Sequence, residues 1–522
     1  MPARASRFLL LAAVVMAAAA CWIWFRLRTG IRLEDALITW RYARHLAEGQ
    51  GFVFNPGEKV LGTTTPLQTL MLGLVGAILG VDWIPFAASA LMMLAAAGAG
   101  VLTFLALEAL GFARGLSMFA VAALLFNPEM LWLASGGMET PLVLLFMAAS
   151  LWALATHRHA TAAGAAALLV LTRIDGLIWA LGVLACMPWR DRGAMRRPSI
   201  VFAALLAPWV LFAFGYFGSP IPHSVIAKRL IGNSGDLAAL PHLLEHLDWS
   251  GSFFAWSFPF SRWIGCLAFV AGGVSIFSRA SSAALRLVVI FPLVFCAALY
   301  LGRAPLWFDW YLAPIGYASL VVGLIGLWAL WEKILALLRR RLAPERQHRL
   351  VWLARISGVA FVILYALLLV PKTKETVRFH QDYQTNEEGT RRVIGEWLHD
   401  NTPADAVVAM EAVGYQAWYA DRKVVDLAGL VSPAVVDIRR TSRSNAEGFF
   451  RVLRDLRPDY LVLRSFEVDR NAHYHGGPLF ESTEQVAYFA SHYEEARRFE
   501  APLPLFWGET SRLTIYRRMP ER

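Results

Sequence analysis

Three long apolar runs govern what this chain can fold into. Phe8–Phe25, Phe86–Leu107 and Tyr311–Trp331 each approach the ~20 residues that cross a bilayer. In hydrocarbon every backbone N–H and C=O must be satisfied within the segment, so such runs become helices. Composition agrees. Of 522 residues, 57% are hydrophobic and 17% charged, against about 25% charged in an ordinary globular protein. From Lys372 onward charges become frequent and no spanning run remains. The expectation is a polytopic α-helical membrane domain over 1–371, followed by a soluble α/β domain over 372–522. In the latter, strand-like runs (406–410, 424–427, 460–463) alternate with helical ones (388–398, 449–456).

Arg4 and Arg7 precede the first run, as in a signal peptide. The run continues to Phe25 without a small-x-small cleavage site before Arg26, so it reads as an uncleaved first helix. The net charge of +10 sits largely in short loops between spans, which is a topology signal rather than a nucleic-acid footprint. Cys21, Cys186, Cys266 and Cys296 all lie in apolar segments, which argues against a disulfide framework or a thiolate metal site.

Loops rich in Arg and Lys stay cytoplasmic. These are the N-terminus, Arg190–Arg197 and Lys333–Arg355, with weaker cases at Arg114 and at His157-Arg158-His159. One arrangement satisfies all of them, with about eleven crossings: 8–25, 86–107, 116–132, 139–156, 161–172, 176–188, 199–217, 262–278, 283–301, 311–331 and 351–371. Residues 26–85 and the C-terminal domain then lie outside. Residues 67–81 read as a juxtamembrane or re-entrant helix. A turn at Arg173–Gly176 keeps Arg173 and Asp175 out of hydrocarbon.

In this arrangement the polar residues gather on the outer face. Glu34-Asp35 opens an amphipathic, interfacial stretch that carries Trp40, Arg41, Tyr42 and Arg44. The bland reading of the two acids is charge complementing a helix dipole. Gly136-Gly137-Met138-Glu139, the Arg173/Asp175 turn, Pro222-His223, Lys228-Arg229 and Trp307-Phe308-Asp309-Trp310-Tyr311 reach the same side. A snorkelling Lys228 or an aromatic belt would explain some of these singly. Together they fit a substrate that is part lipid, part phosphate and part sugar. Basic side chains neutralise phosphate, aromatic faces stack on a sugar, and a carboxylate takes a hydroxyl proton. The cytoplasmic loops have no GxxxxGK[ST] motif and no room for a nucleotide-sugar domain, so a donor would be membrane-borne.

These residues resemble the C-type superfamily of integral membrane glycosyltransferases, and within it the actinobacterial terminal β-(1→2) arabinofuranosyltransferase family. The matching stretches are Glu34-Asp35-x4-Trp-Arg41-Tyr42, Gly51-Phe-Val-Phe-Asn55-Pro-Gly-Glu58, Gly62-x3-Pro66, Gly137-Met-Glu139-Thr-Pro and Thr172-Arg173-Ile-Asp175-Gly176. Further along come Pro222-His-x4-Lys228, Trp310-Tyr-Leu-Ala-Pro314 and Gly414-Tyr-x3-Tyr419-x4-Val-Val-Asp426-Leu-Ala-Gly429. The family usually has two aspartates where this chain has Glu34-Asp35, and commonly asparagine where it has His223.

The resemblance implies an inverting transfer from a polyprenyl-phosphate sugar, such as arabinofuranose, to an extracytoplasmic cell-envelope glycan, at the inner (plasma) membrane. It implies Asp35 as the base, with Glu34 orienting the acceptor or holding a divalent cation. Arg173, Lys228, Arg229 and His223 would face the donor phosphate. Arg41, Tyr42, Glu139, Asp175, Trp307, Asp309, Trp310 and Tyr311 would face substrate. The soluble domain would bind acceptor. A transporter or flippase for a lipid-linked sugar is the alternative, although it would want ionisable residues at mid-membrane.

Overall fold

The computed structural model describes residues 2–231, 261–278, 282–301, 309–342, 347–468, 479–503 and 512–520. Helices dominate to residue 401: α1 (Pro2–Thr29), α2 (Glu34–Ala47), α3 (Pro66–Leu79), α4 (Ile84–Ala109), α5 (Arg114–Leu125) and α6 (Pro128–Ser135). They continue as α7 (Thr140–Ala155), α8 (His159–Thr172), α9 (Leu177–Ala185), α10 (Arg192–Phe217) and α11 (His223–Ile231). Then come α12 (Ser261–Ser278), α13 (Ala283–Leu301), α14 (Asp309–Arg341), α15 (Gln347–Asn386), a π-helical turn (Glu387–Arg392) and α16 (Val393–Asn401).

Among the described residues, five helices are long and apolar enough to cross a membrane, or six if a bent pair counts as one span. Further apolar helices, α3 and α7 among them, are shorter. The spanning windows of α10 and of α15 are each only 6% buried. Apolar surface on that scale fits a multi-pass membrane protein whose outer helices face lipid.

The helix expected over 116–132 is broken. α5 ends at Leu125, α6 starts at Pro128, and the two are bent by 60°. Proline disfavours helical backbone in the residue before it. Asn127 instead caps α6, its side chain accepting the Glu129 N–H at 2.8 Å. The turn expected at Arg173–Gly176 is present, as a short 3-10 segment between α8 and α9. α3 lies against α2, where Gly73 and Gly76 leave room for Leu46 and Ala47. α15 runs without interruption past Lys372 to Asn386, so the change in composition at 372 is not a helix end.

Beyond α16 come β1 (Val407–Met410), α17 (Tyr415–Ala420), β2 (Lys423–Asp426), α18 (Pro433–Arg440), β3 (Tyr460–Arg464), β4 (Tyr493–Glu500) and β5 (Arg512–Arg518). The five strands form one sheet in the order β2-β1-β3-β5-β4. β1 pairs in parallel with β2 and β3, while β3–β5 and β4–β5 are antiparallel.

One core threads the helices from Trp22 and Phe25 of α1 to Tyr317 and Val321 of α14. A second core joins Tyr42, Phe52, Phe54 and Leu61 to Val408, Met410, Ala417, Val424 and Ile515. The segment after α2 is therefore packed into the same apolar interior as the sheet. That shared core fixes where the site lies.

Candidate active site

Both acids in the first turn of α2 sit where the helix dipole favours negative charge, but their side chains diverge. Gly414 N–H donates to Glu34 Oε1 at 2.5 Å, and Tyr415 N–H donates to Oε2 at 2.9 Å. Arg391 Nη1 stands 3.9 Å from the same carboxylate. Glu34 thus caps α17 from another part of the chain. Asp35 turns into a cavity of about 400 Å3, which Glu34 does not line. Burial pushes the Asp35 carboxyl above the usual range, and the charges of Lys228 and Arg391 oppose that rise.

Glu139, Arg173, Asp175, Lys228, Arg229, Trp310 and Tyr311 line the cavity with Asp35. Arg173 is heavily engaged. Its Nε and Nη2 donate to the Asp175 carboxylate at 3.1 and 2.6 Å, and its Nη1 donates to the Trp310 carbonyl at 3.0 Å. Glu139 lies 3.6 Å away, and the Tyr311 ring centroid 4.7 Å away. A guanidinium clamped in this way orders α7, the 173–176 turn and α14 around the cavity. The resemblance implies that Arg173 faces the donor phosphate, and here each of its nitrogens already has an acceptor.

Lys228, on α11, donates to the Tyr311 hydroxyl at 3.2 Å. Burial alone would lower its ammonium, but the Tyr311 and Asp35 charges hold it above its ordinary value. Arg229 is exposed at the same wall.

Other expected contacts are placed elsewhere. Arg41 is fully buried, donating to the carbonyls of Phe54 (2.9 Å), Arg422 (2.7 Å) and Ala417. It is a strut joining α2 to α17 and β2, because a buried guanidinium needs acceptors and the backbone supplies them. The Tyr42 hydroxyl donates to the Val60 carbonyl at 2.7 Å and accepts the Gly62 N–H at 2.8 Å, pinning the loop beneath the cavity. Neither side chain lines the cavity.

His223 is not at the cavity wall either. Its N–H bonds the Leu61 carbonyl at 2.7 Å, and its ring lies within the field of Asp437 and Arg440 of α18. Burial lowers the imidazole from its ordinary value, which disfavours its charged form. Trp307 and the side chain of Asp309 lie outside the described residues.

Sequence reasoning passed over three contributors. Thr39, Thr63 and Thr65 form a buried hydroxyl cluster at the cavity wall, with Oγ1 separations of 2.9 to 3.4 Å. The Thr-Thr-Thr run is legible, but its meeting with Thr39 is not. Leu430, from the turn after β2, lines the same cavity. The Asp426 carboxylate holds that turn by accepting the N–H groups of Ala428 (2.8 Å) and Val431 (3.1 Å). Gly62 must stay small beneath it, since a Cβ there would meet Val431 at 2.5 Å. Arg391 is the third.

A shallower depression of about 600 Å3, bounded by Asp405, Asp459 and Arg518, lies at the amino ends of β1 and β3. The turn that meets the Asp35 cavity leaves the carboxyl end of β2. Asp459 and Arg518 are paired at 2.9 Å, and that depression carries no comparable chemistry.

Among the described residues, no group of three or more His, Cys, Asp or Glu side chains is arranged to hold a metal ion. Glu34, the expected cation ligand, already serves two N–H groups and Arg391. Engaged in this way, Glu34 does not fit the role of a cation ligand.

The fold is shared with solved structures of low sequence identity. The crystal structure of ArnT from Cupriavidus metallidurans bound to undecaprenyl phosphate matches 97% of each chain, at a TM-score of 0.55 and 15% identity. The oligosaccharyltransferase AglB from Archaeoglobus fulgidus, in complex with an inhibitory peptide and a dolichol-phosphate, matches 96% of this chain and 74% of its own, at a TM-score of 0.57 and 13% identity. At such identities, what is shared is the fold.

The sequence itself is 29% identical over 229 residues to the terminal β-(1→2)-arabinofuranosyltransferase of Mycobacterium tuberculosis. That match spans 38% of this chain and 35% of the relative. Residues 375–516 match the family described as Domain of unknown function (DUF8728).

Proposed function

We propose that this chain is an inverting glycosyltransferase that moves a sugar, arabinofuranose in the first instance, from a polyprenyl-phosphate donor to a cell-envelope glycan outside the inner membrane. The observation that carries the reading is the shared cavity of Asp35 and Lys228, a carboxylate and an ammonium facing one space of about 400 Å3. Asp35 takes the proton of the acceptor hydroxyl as that oxygen bonds to the anomeric carbon. The bond from that carbon to the phosphate oxygen breaks on the opposite face, and the lipid phosphate leaves with the electron pair. Lys228 and Arg229 meet the charge that develops there, and a fixed, partly desolvated ammonium does so without reorganising. Arg173 keeps Glu139 and Asp175 in place at the wall, and Leu430 closes the cavity from the C-terminal side.

The same reading puts the cavity and residues 372–522 on the extracytoplasmic side, with about eleven crossings over 1–371. It is supported by the fold shared with proteins solved with undecaprenyl phosphate and dolichol-phosphate, and by the partial match to an arabinofuranosyltransferase. The test is transfer by purified protein from synthetic polyprenyl-phosphate arabinofuranose to an arabinofuranose oligosaccharide, with polyprenyl-phosphate hexoses in parallel. Product from a hexose donor alone would change the sugar. No product from any lipid-linked donor, with Asp35→Asn indistinguishable from wild type, would reject the reading.

A further inference from the structure

Residues 32–35, just before and within the first turn of α2, are gripped by three elements distant in sequence. From α15, Gln384 Oε1 accepts the Arg32 N–H at 3.0 Å, and its Nε2 donates to the Tyr415 hydroxyl at 2.7 Å. From α17, Gly414 and Tyr415 hold the Glu34 carboxylate. From the π-helical turn, Arg391 donates to Glu387 at 2.8 Å and faces Glu34 at 3.9 Å. A π-helical turn adds a residue to the helical repeat and is often found where a side chain must be re-aimed. Here it directs a guanidinium toward the side-chain carboxylate of Glu34, the neighbour of Asp35.

We infer that Arg391 is a positioning residue for Asp35, fixing through Glu34 where the carboxylate stands. This rests on the reading of Asp35 as the base and goes beyond it, because it places control of the base outside the helical cavity, in the turn that leads into the sheet. Charged groups around Asp35 come from several elements. They are Lys228 on α11, Glu34 beside it on α2, Glu139 at the start of α7, and Arg391, with Arg173 and Asp175 of the turn before α9 and Arg229 of α11 lining the same cavity. Facing Arg391 are Glu387, Glu34 and Tyr383. Removing Arg391 therefore withdraws a positive charge from Asp35 and frees Glu34 from one of its tethers. Of the two cations that oppose the rise of its carboxyl, Lys228 would remain. The carboxylate would then hold its proton to higher pH, and the acidic limb of the transfer rate would move up.

Two readouts test this, one of them independent of catalysis. In full-length protein whose native cysteines are replaced by serine or alanine, Asp35→Cys puts a thiol at the position of the base. Its alkylation rate with iodoacetamide, followed against pH, reports the local field. Adding Arg391→Met should raise the thiol's apparent pKa by on the order of one pH unit, cutting alkylation about tenfold at a fixed pH below it. Arg391→Lys should restore most of the difference.

In the unaltered background, the arabinofuranose assay should show the acidic limb displaced upward in Arg391→Met and largely recovered in Arg391→Lys. Arg391→Gln substitutes for Arg391→Met if the latter does not fold, as judged by its thermal midpoint in detergent. An unmoved thiol profile in the charge-neutral variant overturns the inference, whatever happens to activity. A shifted thiol in a protein whose Asp35→Asn variant still transfers sugar upholds the field of Arg391 and rejects Asp35 as the base.

Discussion

The carboxylate of Glu34 accepts the backbone N–H of Tyr415 at 2.9 Å, across more than three hundred residues of chain. One bond thereby joins the first turn of α2 to the first turn of α17. Its neighbour Asp35, one residue on, faces open cavity. Two adjacent acids of similar chemistry thus have separable surroundings, one holding the junction and the other facing the cavity.

That separation predicts different losses. Asp35→Asn keeps size and hydrogen bonding but cannot accept the hydroxyl proton, so transfer should fall ~10²-fold or more with the thermal midpoint little changed. Glu34→Ala strands the N–H groups of Gly414 and Tyr415, which costs on the order of 1–3 kcal/mol and lowers the thermal midpoint. Glu34→Gln keeps an acceptor oxygen and should lose less of both. An inactive, fully stable Glu34→Gln beside an active Asp35→Asn would exchange the two roles.

Arg173→Ala is expected to act through structure. It leaves Asp175 and Glu139 without the cation between them, and breaking such a buried pair costs roughly 3–5 kcal/mol. Arg173→Lys retains charge but loses the two-pronged bond to Asp175. Both should lower thermal stability, Ala more than Lys, with donor use falling in step. A stable Arg173→Ala that fails only in donor binding would restore the direct phosphate role.

How much of this was legible in sequence depends on how far apart the partners lie. The helices of 1–371 follow from apolar runs, and the Arg173 turn from the cost of burying charge. Pro128 was visible in sequence, yet the run read straight through it, since Leu131, Trp132 and Leu133 keep the stretch apolar. Asp35, Lys228, Tyr311 and Arg173 were singled out because the topology read from positive charge puts each in a loop, a turn or a helix end on one side of the membrane domain. Arg41 was misjudged because an arginine on an amphipathic helix looks solvated. Its acceptors at Ala417 and Arg422 lie in a segment that packs there only through the shared core with the sheet. Arg391 sits in a run of ordinary i,i+4 ion pairs, such as Arg391–Glu387 and Arg392–Glu388. Nothing in sequence separates it from Arg392.

Asp426 gives a pH signature. Burial raises its carboxyl from 3.8 to about 6, against the N–H groups of Val431 and Ala428 that lower it. A carboxyl whose pKa is higher in the folded state penalises folding when ionised, and the penalty fades as pH falls through about 6 toward 3.8. The thermal midpoint of the wild type, compared with Asp426→Asn, should therefore improve on going from pH 7 to pH 4.5. The full effect is at most about 3 kcal/mol. A difference that is flat in pH, or that moves the other way, would mean that the N–H bonds outweigh burial.

Topology can be read without activity. Thr385, near the end of α15, and Arg341, at the end of α14, are both exposed. In intact cells a membrane-impermeant thiol reagent should modify Thr385→Cys and spare Arg341→Cys until the membrane is permeabilised. Modification of both, or of Arg341→Cys alone, would remove the extracytoplasmic placement of residues 372–522.

The donor phosphate is tested at Lys228. Its ammonium is held by the Tyr311 hydroxyl at 3.2 Å and shares the cavity with Asp35, so it is aimed before any ligand arrives. A charge-assisted bond to phosphate is worth about 1.5–3 kcal/mol, so Lys228→Met should raise the donor KM by roughly tenfold to a hundredfold. Tyr311→Phe removes the hydroxyl that orients the ammonium but leaves the charge, and its effect should be several times smaller. Arg229→Ala should be milder than Lys228→Met, because an exposed guanidinium is better solvated and less fixed. Lys228→Met also takes a cation from beside Asp35, so its acidic limb should move up, whereas that of Arg229→Ala should stay. If Arg229→Ala raises the donor KM and Lys228→Met leaves it unchanged, the phosphate lies at the outer wall, and Lys228 serves the carboxylate alone.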